Sequence, residues 1–263
     1  MKHVIDYYEN YREEDRLTRN NTHRIEFLTT IRIFEEQFPP TAKILDCAAG
    51  TGIYSFYYAD RGYDVTATDL TPKHISYIQE QLKNKPYNMA SKLIDATDLS
   101  NFEDATFDIV LCMGPFYHIT DPAMRNQCLS ECIRVLKKGG LLAISYISRY
   151  YVFPYVATSD SKYLTADLAK KLVNTGTVNH DDTDCFWTDT YYAAPEEMEL
   201  QFQMADLHIV EHFAQDGITP KLGEDVNNWN EEQFKIWCDY HYSVCREKSL
   251  LGASGHGLII GCK

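Results

Sequence analysis

The sequence predicts an α/β protein: a doubly wound, mostly parallel sheet of seven strands, interrupted by helical and aromatic insertions. Three observations carry this prediction. Strand-like and helix-like segments alternate through five strands by residue 148, the pattern of successive parallel βαβ units. The segment Phe107–Met113 is near-continuously apolar, as a strand buried on both faces must be. The third observation is the stretch Lys43–Asp69, KILDCAAGTGIYSFYYADRGYDVTATD. Here strand, small-residue turn, helix and strand follow one another, and an acid (Asp46, Asp69) ends each strand. Ligands of open parallel sheets bind at those carboxyl ends, so this unit is the expected ligand site.

The elements follow in order. Residues 1–40 precede the first strand and form an N-terminal helical lid. Its first part, with Tyr7, Tyr8, Tyr11, Arg16 and Arg19, is too polar to pack on a sheet. Its second part carries Phe27, Ile31, Phe34 and Phe38 at helical spacing beside Leu28, with Arg24, Glu35 and Glu36 off that stripe. Pro39 and Pro40 end it. After the opening unit, Thr71 and Pro72 are placed as N-cap and first helical residue, with Ile75, Ile78 and Leu82 on the buried stripe. A third strand, Met89–Ile94, ends in Asp95. Asp121 and Pro122 start a further helix, expected to end at Lys137–Gly140 with cations at its carboxyl end. The fifth strand is Leu141–Ile147.

The rhythm then breaks. Residues 149–194 carry nine aromatic side chains around one short helix, Thr165–Val173. A helix from Pro195 to Ala205, a strand Leu207–Phe213, a loop over 214–229, a helix Asn230–Arg246 and a last strand Gly257–Cys262 complete the chain. The expected division is therefore a lid (1–40), a ligand-binding core (41–148), a substrate cover (149–194), and the rest of the core (195–263) with a helical insertion over 214–256.

Composition narrows the function. The 263 residues carry a formal net charge of −13, which argues against a nucleic-acid backbone as partner. No run of about 18 apolar residues exists to span a membrane, and the start MKHVIDYYENYREEDR has no apolar core for a secretory signal. The 8 cysteines form no Cys-x-x-Cys pair, so reduced thiols in a cytoplasmic protein are expected. No metal is expected. His241 and Cys245 share a helix face and His256 lies just before the last strand, but the sequence places no further ligands there. His208 and His212, on one face of a strand, are expected at the surface or in packing. The oligomeric state is left open.

Three motifs in this order resemble the class I S-adenosylmethionine-dependent methyltransferases that act on small molecules. They are Ile44-Leu45-Asp46-x-x-x-Gly50-Thr51-Gly52, then Val65–Asp69 with its terminal acid, then Phe107–Val110 followed by Arg134–Gly140. Ala48 stands where the family's loop has its first glycine; alanine disfavours a positive φ, and the turn is expected to survive it. A dinucleotide reading fits less well. Ser55 occupies the third glycine position of that fingerprint, and Asp46 would repel a pyrophosphate. The resemblance implies S-adenosylmethionine as cofactor. It implies Asp46, Ala48, Gly50 and Gly52 around the methionine moiety, Asp69 on the ribose, Leu70 at the adenine, Asp95 and Ala96 near its amino group, and Met113 and Gly114 beside the sulfonium.

Methyl transfer needs proximity, exclusion of water, and a base only where the acceptor keeps its proton at neutral pH. His118 is the expected base on its ordinary pKa, and Tyr117 the expected substrate-positioning residue. Tyr7, Tyr11, Arg16 and Arg19 are expected on the lid, with Arg16 able to pair a carboxylate. The aromatic segment 149–194 suits an apolar or cationic small molecule. The function expected is therefore methyl transfer to a small-molecule acceptor. The alternatives are a non-catalytic S-adenosylmethionine-binding or interaction protein on the same fold, or an NAD(P)-dependent oxidoreductase.

Overall fold

The structure, a computed structural model, describes residues 1–83 and 85–263. Its elements are, in chain order, α1 (Lys2–Asn10), α2 (Asn21–Gln37), β1 (Lys43–Cys47), α3 (Ile53–Ala59), β2 (Asp64–Asp69), α4 (Pro72–Leu82), β3 (Met89–Leu93), β4 (Phe107–Cys112), α5 (Pro115–His118), α6 (Pro122–Val135) and β5 (Leu136–Ser148). There follow α7 (Arg149–Ser159), α8 (Ala166–Asn174), β6 (Thr177–Val178), β7 (Thr190–Ala193), α9 (Pro195–Met204), β8 (His208–Ala214), α10 (Thr219–Leu222), α11 (Glu224–Asn227), α12 (Glu231–Val244), α13 (Lys248–Leu251) and β9 (His256–Cys262).

The main sheet runs β3-β2-β1-β4-β5-β9-β8. The first five strands pair in parallel, with Ile44 beside both Val65 and Ile109. β9 alone reverses, pairing antiparallel with β5 and β8 from Leu141↔Cys262 to Ile147↔His256. The strand alternation divides the core between the two faces. Leu45, Cys47, Val110, Cys112, Leu142 and Ile144 pack under α6 and α9, while Ile44, Ile109, Leu111 and Ala143 pack under α2 and α3. Strand order reverses between β1 and β4, and a crevice outside the carboxyl ends at that switch point is where such sheets take ligands.

Four expectations change. Lys137–Gly140 does not cap a helix. α6 stops at Val135, and Leu136 already has extended geometry and pairs with Phe107. Lys137 reaches Asp108 at 2.7 Å instead of the helix end, and Gly139, at φ +77°, donates its N–H to the Lys263 carbonyl. The aromatic segment holds two helices and a hairpin: α7 carries Pro154 inside it, and β7 extends the sheet by pairing Tyr192 with Ile147. The loop over 214–229 contains α10 and α11. Finally, α2 buries Ile25, Thr29 and Ile33 beside Glu26, Thr30 and Phe34, leaving Phe27 and Ile31 half-exposed. It has two partners: Ile33 and Phe34 meet the sheet cluster, whereas Ile25 packs with Val226 and Phe234 of the carboxyl-terminal helices.

Candidate active site

A cleft opens at the carboxyl ends of the first four strands. Asp46 and Ala48 reach it from β1, Asp69 and Leu70 from β2, Asp95 and Ala96 from the turn after β3, and Met113 and Gly114 from the end of β4. Met1, Val4, Ile5 and Tyr8 of α1 close it from above, with Glu13 and Arg16 of the following loop.

The turn after β1 is shaped by backbone conformation. Ala48 (φ +68°), Gly50 (φ +56°) and Gly52 (φ +84°) all lie in the left-handed region. The alanine is tolerated there at a cost of about 1–2 kcal/mol. A side chain at Gly52 would meet Ile78 and Phe56 at 3.2 Å; this glycine seats the start of α3 against α4 and does not line the cleft. Asp69 ties the turn to β2: Oδ2 accepts the Gly50 N–H at 2.8 Å and Oδ1 the Thr71 N–H at 2.7 Å, with His74 Nδ1 at 3.2 Å. Asp46 is buried, and Ser55, the residue at the missing third-glycine position, donates to it at 2.6 Å. Burial outweighs that hydrogen bond and pushes the Asp46 carboxyl up to about 7.

The lid residues fall differently from expectation. Tyr11 lies outside the cleft, stacked on Tyr7 and joined to Arg19. Arg16 lines the cleft but is already engaged. Its guanidinium grips Glu26 bidentately at 2.8 and 3.1 Å and reaches Glu13 at 3.0 Å, so three of its five N–H donors, and its charge, are already committed within the protein. His118 does lie in the cleft wall, but Nδ1 faces the Asp189 carbonyl at 3.1 Å and must carry the proton, so Nε2 accepts from the Tyr8 hydroxyl at 2.9 Å. Burial lowers its pKa to about 4. That makes it a weak base with a covered lone pair, contrary to the role its ordinary pKa suggests. Tyr117 donates to the Met113 carbonyl at 3.3 Å and stands beside Gly114.

Three residues that no motif marks also line the cleft: Glu13, Tyr54 and His74. Each has a buried polar atom with no partner, namely Glu13 Oε2, the Tyr54 hydroxyl and His74 Nε2. Buried polar atoms are rarely left so, and all three residues line the cleft, as the wall of a polar ligand's site would. Only the position of His74, five residues after Asp69, offered a signal in sequence.

A second cavity, of about 360 Å³, adjoins the first, within the range of small-molecule sites. It shares Tyr8, Arg16 and Tyr117 with the cleft. Tyr151 and Tyr155 of α7, Phe186 and Trp187 of the loop between β6 and β7, and Tyr192 of β7 wall it. Trp187 packs edge-on to His118 with ring centroids 4.9 Å apart and near Tyr7 at 6.0 Å, so the aromatic insertion meets the lid over the cleft.

The fold is shared with solved structures of S-adenosylmethionine-dependent methyltransferases. Residues 45–144 match the family described as "Methyltransferase domain". The donor set fits S-adenosylmethionine: Glu13 Oε2 is unpartnered and can take an ammonium, and Asp69 Oδ2, which accepts only the Gly50 N–H, keeps a lone pair for a ribose hydroxyl. A "Ubiquinone biosynthesis O-methyltransferase" of Xylella fastidiosa is 28% identical over 168 residues, 64% of this chain and 61% of that protein. A protein of the same description from Xanthomonas campestris is 26% identical over 170 residues, 65% of this chain and 64% of its own length. The chain thus spans less than two thirds of these relatives. Among solved structures, the 1,6-didemethyltoxoflavin-N1-methyltransferase of Burkholderia thailandensis, with its substrate and S-adenosylhomocysteine bound, superposes at a TM-score of 0.58 and 16% identity over 99% of this chain and 84% of that one. An S-adenosylmethionine-dependent methyltransferase of Clostridium acetobutylicum does so at 0.56 and 14% over 91% of each chain. Among the described residues, no helix is long and apolar enough to cross a membrane.

Proposed function

We propose that the protein transfers a methyl group from S-adenosylmethionine to a small-molecule acceptor held in the aromatic cavity. The observation that carries this reading is that the two cavities share Tyr8, Arg16 and Tyr117, so a cofactor site adjoins a second, ring-lined chamber. Asp69 would hold the ribose hydroxyls, Leu70, Asp95 and Ala96 the adenine, and Asp46, Glu13 and the backbone of Ala48 and Gly50 the methionine end. Gly52 supports this turn from behind. Bound there, the cofactor supplies a methyl group already activated on a sulfonium.

The chain's own contribution is binding, orientation and the exclusion of water. Met1, Val4, Ile5 and Tyr8 cover the cleft, which supports reading residues 1–40 as its lid. The rings of residues 149–194 similarly support a substrate cover. Tyr117 sits between the two cavities and positions the acceptor; His118, held by Asp189 and Tyr8, positions the lid over it. The acceptors named for the relatives, a ubiquinone precursor step and a toxoflavin ring nitrogen, favour a flat molecule for this chain too. All 8 cysteines are free thiols, which supports a cytoplasmic setting.

Titration calorimetry with S-adenosylmethionine, S-adenosylhomocysteine and NAD tests the cofactor; binding of NAD alone would sink the reading. Release of S-adenosylhomocysteine against a panel of small acceptors separates an enzyme from a protein that only binds the cofactor.

A further inference from the structure

A cluster of buried ionisable groups lies in the wall of the aromatic cavity, outside the lining of the first cleft that the cavity adjoins. Asp216, at the end of the segment after β8, and His256, at the start of β9, both line it, with Glu26 of α2. Asp216 is fixed on three sides. Its Oδ1 accepts from the Ser254 hydroxyl at 2.7 Å and from the His256 N–H at 3.0 Å, and its Oδ2 lies 2.8 Å from His256 Nδ1. Gly255 is required by this closeness, since a Cβ there would stand 2.8 Å from Asp216 Oδ2. The neighbours of Nδ1 are carboxylate oxygens only, Asp216 at 2.8 Å and Glu26 at 3.6 Å. Nδ1 therefore carries the proton, and Nε2 presents its lone pair. A histidine held in one tautomer by a buried acid is the arrangement of a general base.

The cavity also describes what it would hold. Both Glu26 oxygens are taken by Arg16, and both Asp216 oxygens by Ser254 and His256. No oxygen of either acid is without a partner, so the pull on a cationic acceptor, one of the expectations from the aromatic composition, is reduced. The Tyr151 hydroxyl is buried, lines the same cavity and has no partner; it is a donor waiting for an acceptor oxygen. We infer that His256, oriented by Asp216, is the general base of the methyl transfer. The acceptor is then a neutral planar ring bearing a hydroxyl, with a second oxygen to receive the Tyr151 hydroxyl. This rests on the methyltransferase reading above.

The step balances simply. The hydroxyl proton passes to Nε2. The acceptor oxygen's electron pair forms the new O–C bond while the S–C bond of the cofactor breaks, its pair remaining on sulfur. The imidazolium then gives its proton to solvent. The charged and titratable groups facing His256 are Glu26 and His23 of α2, Arg16 of the lid loop, Asp216, and Tyr117 of α5. Burial alone would lower the His256 pKa, but Glu26 and then Asp216 outweigh burial and Arg16, holding it above its ordinary value, toward the range where a base serves best near neutrality.

The test uses 4-nitrophenol, whose colour reports its ionisation, titrated into the whole protein saturated with S-adenosylhomocysteine. The wild type should bind the probe and lower its apparent ionisation midpoint by on the order of one pH unit, as an imidazolium beside a phenolate does. His256→Gln should bind the probe and S-adenosylhomocysteine but lose that shift, and Asp216→Asn should weaken it. An equal shift in His256→Gln overturns the base assignment alone. Failure of the wild type to bind the probe, with S-adenosylhomocysteine bound, overturns the hydroxyl-ring class but leaves the cofactor reading intact. Failure to bind S-adenosylhomocysteine overturns the reading on which the inference rests.

Discussion

Replacing Asp46 by asparagine removes a charge that the fold holds almost dry. The carboxyl is 2% exposed and its pKa is raised to about 7 by burial, against the Ser55 hydrogen bond that would lower it. An unfolded aspartate titrates near about 3.9. Because the folded value lies above the unfolded one, the native state binds the extra proton. Asp46 is therefore harmless below about pH 4 and increasingly destabilising as pH rises to about 7. The gap between the unfolded and folded values corresponds to about 4 kcal/mol over the whole range, and about 2–3 kcal/mol of it falls between about pH 5 and about pH 8. Asp46→Asn has no such titration and still has the Ser55 hydroxyl beside it. Urea denaturation of both proteins at those two pH values measures the effect. The variant should gain stability on the wild type by that amount at the higher pH, while binding S-adenosylmethionine more weakly. An unchanged stability difference across the two pH values would refute the dry-carboxylate argument.

Further expectations can be checked together. A cation binding beside Asp46 favours its ionised form, so S-adenosylmethionine should release protons near neutral pH, read as a dependence of the calorimetric heat on buffer ionisation. Gly52→Ala puts a Cβ at φ +84° and 3.2 Å from Ile78 and Phe56, and should cost at least about 1–3 kcal/mol in chemical denaturation. Asp69→Ala should weaken S-adenosylmethionine binding by about 1 kcal/mol or more, on the scale of a charge-assisted hydrogen bond; unchanged affinity in calorimetry removes it from the site. His118→Asn should leave the transfer rate on an accepted substrate within about threefold, since an essential base contributes about a hundredfold or more. Wild-type stability drawn from neutral His118 should be full above its unfolded pKa and fade in acid as pH falls toward the folded value of about 4.

Much of the cofactor cleft was legible because it is built locally. Asp46, the turn through Gly52 and Asp69 lie within one βαβ unit, and strand ends at Asp95 and Met113 follow from the same alternation. Ala48 could be judged in advance as an alanine forced into a glycine conformation, and it is one. The misreadings share a cause. Lys137 looked like a helix-capping cation because its true partner, Asp108, is on a neighbouring strand. Arg16 looked free because Glu26 is ten residues further on, on α2. His118 looked like a base because sequence carries no desolvation.

The sequence by itself determined the sheet and the turn, since periodicity, small residues and strand-end acids act over short stretches of chain, and its motifs carried the resemblance that implied the cofactor. Only the tertiary structure decided which ionisable groups are available for chemistry. It covered the lone pair of His118 with Tyr8, spent Arg16 on Glu26, and brought Asp216 to His256 across forty residues of chain. Protonation and hydrogen bonding depend on burial and on partners remote in sequence. No local pattern records them.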